Sequence, residues 1–135
     1  MAWIDSGFIR RKSPAFVWAA VIFLLSSIPA RSLPKLALLK YDKLIHATVF
    51  FIFGMLVYRA VIPSSQPSRI DWRSAITTLI VVIMYGMLDE VHQHFVAGRT
   101  PDVYDALADA VGGLLSASLV LGIARVKIWS TPGQV

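Results

Sequence analysis

Cysteine is absent from this chain, which excludes a disulfide framework and any thiolate nucleophile or metal ligand. Charge is scarce as well. Asp, Glu, Lys and Arg make up 16% of the 135 residues, against about 25% in soluble domains. No phosphate-binding glycine loop, zinc-protease motif or serine nucleophile elbow occurs, so the chemistries those motifs carry find no support. The 13 basic residues form no aromatic-interleaved stripe, which argues against nucleic acid as a partner.

Apolar sequence fills the space that charge leaves. Hydrophobic residues account for 56% of the chain and the mean hydropathy is +0.66. The length suits one domain, and the natural solvent for such a surface is lipid. Four apolar runs follow one another. The first, Ala15 to Ile28, is uncharged and reaches the roughly 20 residues that span a bilayer only if extended to Leu33. Its flanks "RRK" and "IPA" also fit a cleaved signal peptide loosely, but the membrane-length runs that follow favour a retained helix. None of the runs alternates with the period of a barrel strand.

The expected architecture is all-α: a polytopic bundle of four transmembrane helices at about 14–33, 44–62, 73–95 and 103–128. A cytoplasmic segment, 1–13, precedes this 14–128 domain, and a disordered tail, 129–135, follows it. An N-in, C-in arrangement places Arg10, Arg11, Lys12, Arg59, Arg69, Arg73, Arg125 and Lys127 inside. It places Arg31, Lys35, Lys40, Lys43 and Arg99 outside, a bias that agrees with positive charge in the cytoplasm.

Helix count alone then brings six of the eight acidic residues to one membrane face: Asp42, Asp89, Glu90, Asp102, Asp105 and Asp109. Asp42 and His46 are four residues apart and share a side of the second helix. Asp89 and Gln93 do the same on the third. On the fourth, Asp105, Asp109, Gly112 and Ser116 follow a single line, and small residues there let a neighbouring helix approach. The carboxylates are therefore expected to point into the bundle. A charge at the bilayer centre costs at least about 2.5–3.5 kcal/mol, so carboxylates in close quarters need cations, protons or water.

The segments "DKLIH" (42–46), "DEVHQHFVAGR" (89–99) and "DALADAVGG" (105–113), preceded by an apolar helix ending "SSIPA", resemble the VanZ-like membrane family. The resemblance covers roughly residues 15 to 122. It carries the family positions onto Asp42, Lys43, His46, Asp89, Glu90, Gln93, Phe95, Gly98, Arg99, Asp105 and Gly112. Asp109 stands where the family usually has Asn, and Ser116 where Gly is common. The family takes its name from a protein linked to resistance to the glycopeptide teicoplanin. What the resemblance implies is a multi-pass cell-membrane protein connected to the cell envelope.

Each candidate residue has two readings. Asp42 either orients His46 as an acid–base pair or caps the second helix. Asp89 and Glu90 oppose the helix dipole, and serve a site or form salt bridges to Lys43 and Arg99. His92 and His94 are spaced wrongly for two ligands on one helix face and read as interfacial. Arg99 clamps phosphate or carboxylate, or pairs internally with Asp105 or Glu90. Asp105 suits a helix start, whereas Asp109 lies deeper.

The functional expectation is a site that binds or processes a lipid-linked envelope precursor or a glycopeptide. Asp42, His46, Asp89 and Glu90 supply its acid–base groups. Lys43, Gln93, Arg99, Asp105 and Asp109 hold the ligand. A divalent metal ion on Asp42, Glu90, Asp105 or Asp109 would bridge carboxylates to phosphate. The alternative is a non-catalytic membrane protein: a scaffold for a partner, or a proton-coupled lipid translocator that would need to be an oligomer.

Overall fold

The computed structural model describes residues 6–32, 41–63 and 71–130. Among them are four α-helices and no strand: α1 (Ser6–Ser26), α2 (Asp42–Val61), α3 (Trp72–Gln93) and α4 (Val103–Ser130). A 3-10 turn at Ala30–Ser32 follows α1. Helices α2, α3 and α4 are long and apolar enough to cross a membrane. α1 is as long, at 21 residues, but Arg10, Arg11 and Lys12 occupy its first turns, and it does not meet the same measure.

The helix limits differ from those read in the sequence. α1 starts at Ser6 rather than at 14 and continues through Pro14. A proline inside a helix has no N–H for the carbonyl four residues earlier, here that of Arg10. Arg59 Nη2 from α2 donates to that carbonyl at 3.2 Å. Arg11 Nη2 reciprocates at the end of α2, donating to the carbonyls of Arg59, at 3.3 Å, and Ile62. α1 ends at Ser26, before Leu33, because the hydroxyls of Ser26 and Ser27 both take the Phe23 carbonyl and Pro29 follows.

α2 begins at Asp42 and α3 ends at Gln93, where the chain turns through Gly98 at φ 76°. α4 continues to Ser130, past the limit of 128. Leu33, Lys35, Lys40, Arg69 and the tail from 131 to 135 lie outside the described residues.

The packing is inverted relative to a soluble domain. The buried positions of α3 are Ser74, Ala75, Thr78, Val82, Gly86, Asp89, Glu90 and Gln93. Its large apolar side chains, Ile76, Ile80, Met84, Met87, Leu88 and Val91, face outward and are more than half exposed. Exposed apolar residues on this scale require an apolar surrounding, and small residues at helix contacts are the pattern of membrane packing.

An aromatic cluster joins α2 and α3. Phe50 and Phe53 meet edge to face, with ring centroids 6.1 Å apart, and Tyr85 of α3 packs on both. Tyr85 also donates its hydroxyl to the Ala19 carbonyl at 2.6 Å, and Trp18 Nε1 donates to the Val49 carbonyl at 3.1 Å. These two bonds, both part-buried, tie α1 to α2 and α3. Such interhelical bonds contribute about 0.6 kcal/mol on average in membranes.

The most extensive pairing is between α2 and α4. It is closest at Gly112, where an added Cβ would collide with the Ala47 carbonyl and stand 2.8 Å from the Phe51 nitrogen. Both obstacles are backbone, so neither can rotate away. At Gly122, one face further along α4, nothing lies within 4 Å. Gly112→Ala is therefore expected to destabilise the bundle by about 1–3 kcal/mol, whereas Gly122→Ala leaves it unchanged or gains up to about 1 kcal/mol from helix propensity. Thermal unfolding of the two variants in detergent, followed by circular dichroism, checks the contrast.

Candidate functional site

The acidic residues converge at one end of the bundle. Asp42 and His46 come from the first turns of α2, Asp89, Glu90 and Gln93 from the last turns of α3, and Asp105 and Asp109 from the first turns of α4. Asp89, Glu90, Gln93, Asp105 and Asp109 are all buried, Asp109 completely so. They reach that position because α4 presents Asp105, Asp109, Gly112 and Ser116 along one line, and the whole line is buried.

His46 sits at the centre. Its Nδ1 is 3.0 Å from Asp109 Oδ1, and its Nε2 is 3.9 Å from Asp105 Oδ2. The carboxylate that orients the imidazole is thus Asp109 of α4, not Asp42, its neighbour on α2. Helical spacing places Asp42 and His46 on one side of α2, but only the α2–α4 approach at Gly112 supplies the partner. With Asp109 ionised, Nδ1 carries the ring proton and Nε2 is the ring's acceptor. Gly86 makes room for this: an added Cβ there would stand 2.9 Å from Asp109 Oδ2.

Asp42 does not cap α2. It lies inside the first turn, Tyr41 holds the cap position, and no side-chain cap bond forms. The carboxylate of Asp42 is half exposed and lies 3.7 Å from Lys43 Nζ. Lys43 bonds in addition to Asp102, at 2.5 Å, and to Asp105. Asp105 is therefore joined to a cation rather than to the backbone of its own helix.

The expected salt bridges from Asp89 and Glu90 to Lys43 and Arg99 are not formed. Asp89 Oδ2 instead accepts from Gln93 Nε2 at 3.0 Å, one turn further along α3. Glu90 Oε2 accepts from the Asp102 backbone N–H at 2.8 Å. Asp102 in turn caps α4 through its own side chain, which accepts from the Tyr104 N–H at 2.8 Å. The acid of a capping box normally comes from the same helix, three residues after the cap. Here Asp105 holds that position and is engaged with Lys43, and Glu90 does the work from α3.

Arg99 forms neither of the expected ion pairs. Its Nε donates to the Ile28 carbonyl at 3.2 Å and its Nη2 to the Leu25 carbonyl at 3.4 Å, both at the end of α1. The Ala30 N–H donates to the Ala97 carbonyl beside it, at 3.2 Å. His92 Nε2 is 2.9 Å from Ser27 Oγ and its ring packs on Phe23, while His94 is exposed. Neither histidine joins the acidic cluster.

Between α1, α2 and α3 lies a cavity of about 440 Å³. One part of its wall is apolar, formed by Ile22, Leu25, Ile28, Ile45, Val49 and Phe50. The other is polar, formed by Ser26, Asp42, His46, Asp89, Gln93 and Arg99. Glu90, Asp105 and Asp109 are not part of this wall. The site therefore has two layers, a cavity and a buried acidic cluster behind it, and His46 belongs to both.

Residues 13–125 match the family model VanZ/LLP1. The chain belongs to the VanZ/LLP1 family. Comparison with curated proteins gives no match, and comparison with solved structures gives none either. The match takes in all four helix-borne parts of the site, from Ser26 to Asp109.

Asp102 was not singled out by sequence reasoning beyond its charge. Its signal was the "TPD" before an apolar run, a helix-start pattern. The Lys43 hydrogen bond, foremost, holds the Asp102 carboxyl below its ordinary value of 3.8. A group with a depressed folded pKa stabilises the fold above its unfolded pKa, and that stability is lost as pH falls through the folded value. In Lys43→Met the Asp102 carboxyl is therefore expected to titrate at higher pH than in the unaltered protein. Carboxyl NMR titration reads this directly, and an unmoved midpoint would show that another group sets it.

Proposed function

We propose that this VanZ/LLP1 family member is a multi-pass protein of the cell membrane, with four spans and both termini in the cytoplasm. In this reading its cavity opens at the extracytoplasmic face and takes a lipid-linked envelope molecule. The observation that carries it is the divided wall of the cavity, which suits a ligand with a hydrocarbon part and a polar headgroup. Membrane lipids and lipid-linked precursors have that form, and glycopeptide resistance of the kind that gave the family its name would follow from handling such a precursor.

The site has the parts of an acid–base catalyst. Asp109 holds the imidazole of His46 by Nδ1, and His46 also lines the cavity. A base fixed by a carboxylate on one nitrogen can exchange a proton through the other. Gln93 and Asp89 supply hydrogen-bonding groups at the polar wall. Arg99 is there too, though two of its donors are engaged with α1.

The chain's lack of cysteine allows the orientation to be tested without background labelling. Ala97→Cys, in the exposed turn after α3, is expected to react with a membrane-impermeant maleimide in intact cells. Arg73→Cys, at the opposite end of the same helix, is expected to react only after permeabilisation. The reverse pattern would invert the topology.

The ligand is tested with the protein in nanodiscs, using a polyprenyl phosphate, the matching polyprenol and phosphatidylglycerol as probes. The phosphate-bearing polyprenyl lipid is expected to bind best. His46→Gln should retain that binding but lower turnover about 10²–10⁴-fold if the site is catalytic. Retained binding with unchanged chemistry, but lost proton coupling, would instead support translocation. Absence of binding by all three probes would overturn the reading.

A further inference from the structure

The buried carboxylates are not equally provided for. Asp105 is joined to Lys43, Asp89 is bonded to Gln93, and Asp42 is half exposed. Glu90 and Asp109 differ. Glu90 Oε1 and Asp109 Oδ2 are each buried and have no hydrogen-bond partner. The residues are 8% and 0% exposed, so water does not solvate them either. A buried acceptor left unmade is costly, more so when it is charged.

Both orphaned groups belong to one cluster. His46, Glu90 and Asp109 each bring a ligand-type atom to within 4.8 Å of the other two. A second set, Asp42, His46 and Asp105, is equally compact, but its carboxylates already have solvent or Lys43. Sequence reasoning grouped the acids together as metal candidates. The geometry divides them, and it adds an imidazole to the pair that lacks partners.

We propose that His46, Glu90 and Asp109 form a binding site for one divalent transition-metal cation. The donor set is one imidazole nitrogen and two carboxylates. An imidazole favours zinc and its neighbours over magnesium or calcium, which prefer oxygen alone. Three protein ligands leave a coordination position open, as in catalytic rather than structural sites. Binding would satisfy Glu90 Oε1 or Asp109 Oδ2 and offset the charge of two carboxylates that pair with no described Lys or Arg. It would also displace the Nδ1 proton of His46 if that nitrogen is the ligand, so affinity would rise with pH. The three ligands come from α2, α3 and α4, so the cation would join the three helices that are long and apolar enough to cross a membrane.

The proposal deepens the reading of this end of the bundle as the functional site. Its test uses the full chain, purified in detergent and treated with chelator, then titrated with Zn²⁺ by calorimetry and by thermal unfolding. One Zn²⁺ per chain is expected, with Mg²⁺ at least about a hundredfold weaker. A rise in Tm of about 10 °C is expected at a hundredfold excess of Zn²⁺ over Kd. Zinc-edge X-ray absorption should show one imidazole nitrogen among oxygen donors, and His46→Gln should remove it. Glu90→Gln and Asp109→Asn should each weaken binding at least about tenfold, while His94→Gln, on an exposed residue outside the cluster, should bind as before.

Absence of saturable zinc binding would overturn the proposal, as would binding that survives both carboxamide variants. If Asp109→Asn does not fold, Glu90→Gln and the absorption spectrum decide. Binding of polyprenyl phosphate is measured on the same stripped sample. Lipid binding without any zinc site overturns the cation alone. A zinc site without lipid binding overturns the reading of the cavity alone.

Discussion

An apolar bundle has to find partners for its buried polar groups from within, and the bond between His46 and Asp109, which crosses from α2 to α4, is the contact on which the acidic end turns. It can form only because α2 and α4 touch backbone to backbone at Gly112, one turn beyond Asp109. That contact brings a side chain from the start of one helix against a carboxylate from the start of another. The rest of the acidic end follows from it. Lys43, one turn before His46, is carried onto Asp102 and Asp105, and Gly86 of α3 leaves the space into which Asp109 folds. A bulkier residue at Gly112 would push the helices apart, whereas one at Gly86 would press on the Asp109 carboxylate itself.

The two ends of the molecule solve the same problem in different ways. At the acidic end many side chains bind side chains, Lys43 to aspartates, Gln93 to Asp89 and His46 to Asp109, beside the backbone contacts of Glu90 and Arg99. At the other end, the guanidinium groups of Arg11 and Arg59 bind backbone carbonyls that a proline or a helix terminus has left open. Asp71 caps α3 there, accepting from the Arg73 N–H and from the Ser74 hydroxyl. The Ser74 bond, foremost, keeps its carboxyl below the ordinary range. Reactive potential concentrates at the end where polar groups answer one another, because among the described residues the buried carboxylates and His46 meet there.

Much of this was legible in the sequence. The apolar runs gave helices, and the acids at their edges pointed to one shared end because helix count fixes which termini lie together. The line Asp105, Asp109, Gly112, Ser116 gave the buried face of α4. What sequence spacing could not supply was partnership between helices. Asp42 and His46 are neighbours on α2, so spacing favoured them as a pair, yet the contact that orients the ring crosses to α4. Glu90 as a remote cap for α4, and Arg99 as a partner of α1, depend in the same way on how the turn at 94–102 folds back. The extra turns of α1 were missed for a local reason. Proline is favoured at the first position of a helix, and sequence alone does not show that Arg59 of α2 takes up the Arg10 carbonyl that Pro14 leaves open.

The engagement of Arg99 with the carbonyls of α1 has a consequence for any anionic guest. The guanidinium is not a vacant receptor, because it donates to the Ile28 carbonyl just past the end of α1 and adds a second donor to that of Leu25, which the Ile28 N–H already meets. A headgroup that drew it away would leave the Ile28 carbonyl without that donor, and the segment after α1 would loosen at the rim of the very cavity being filled. Capture and release would then be two sides of one exchange, with the Ile28 carbonyl recovering its lost donor each time the guest departs.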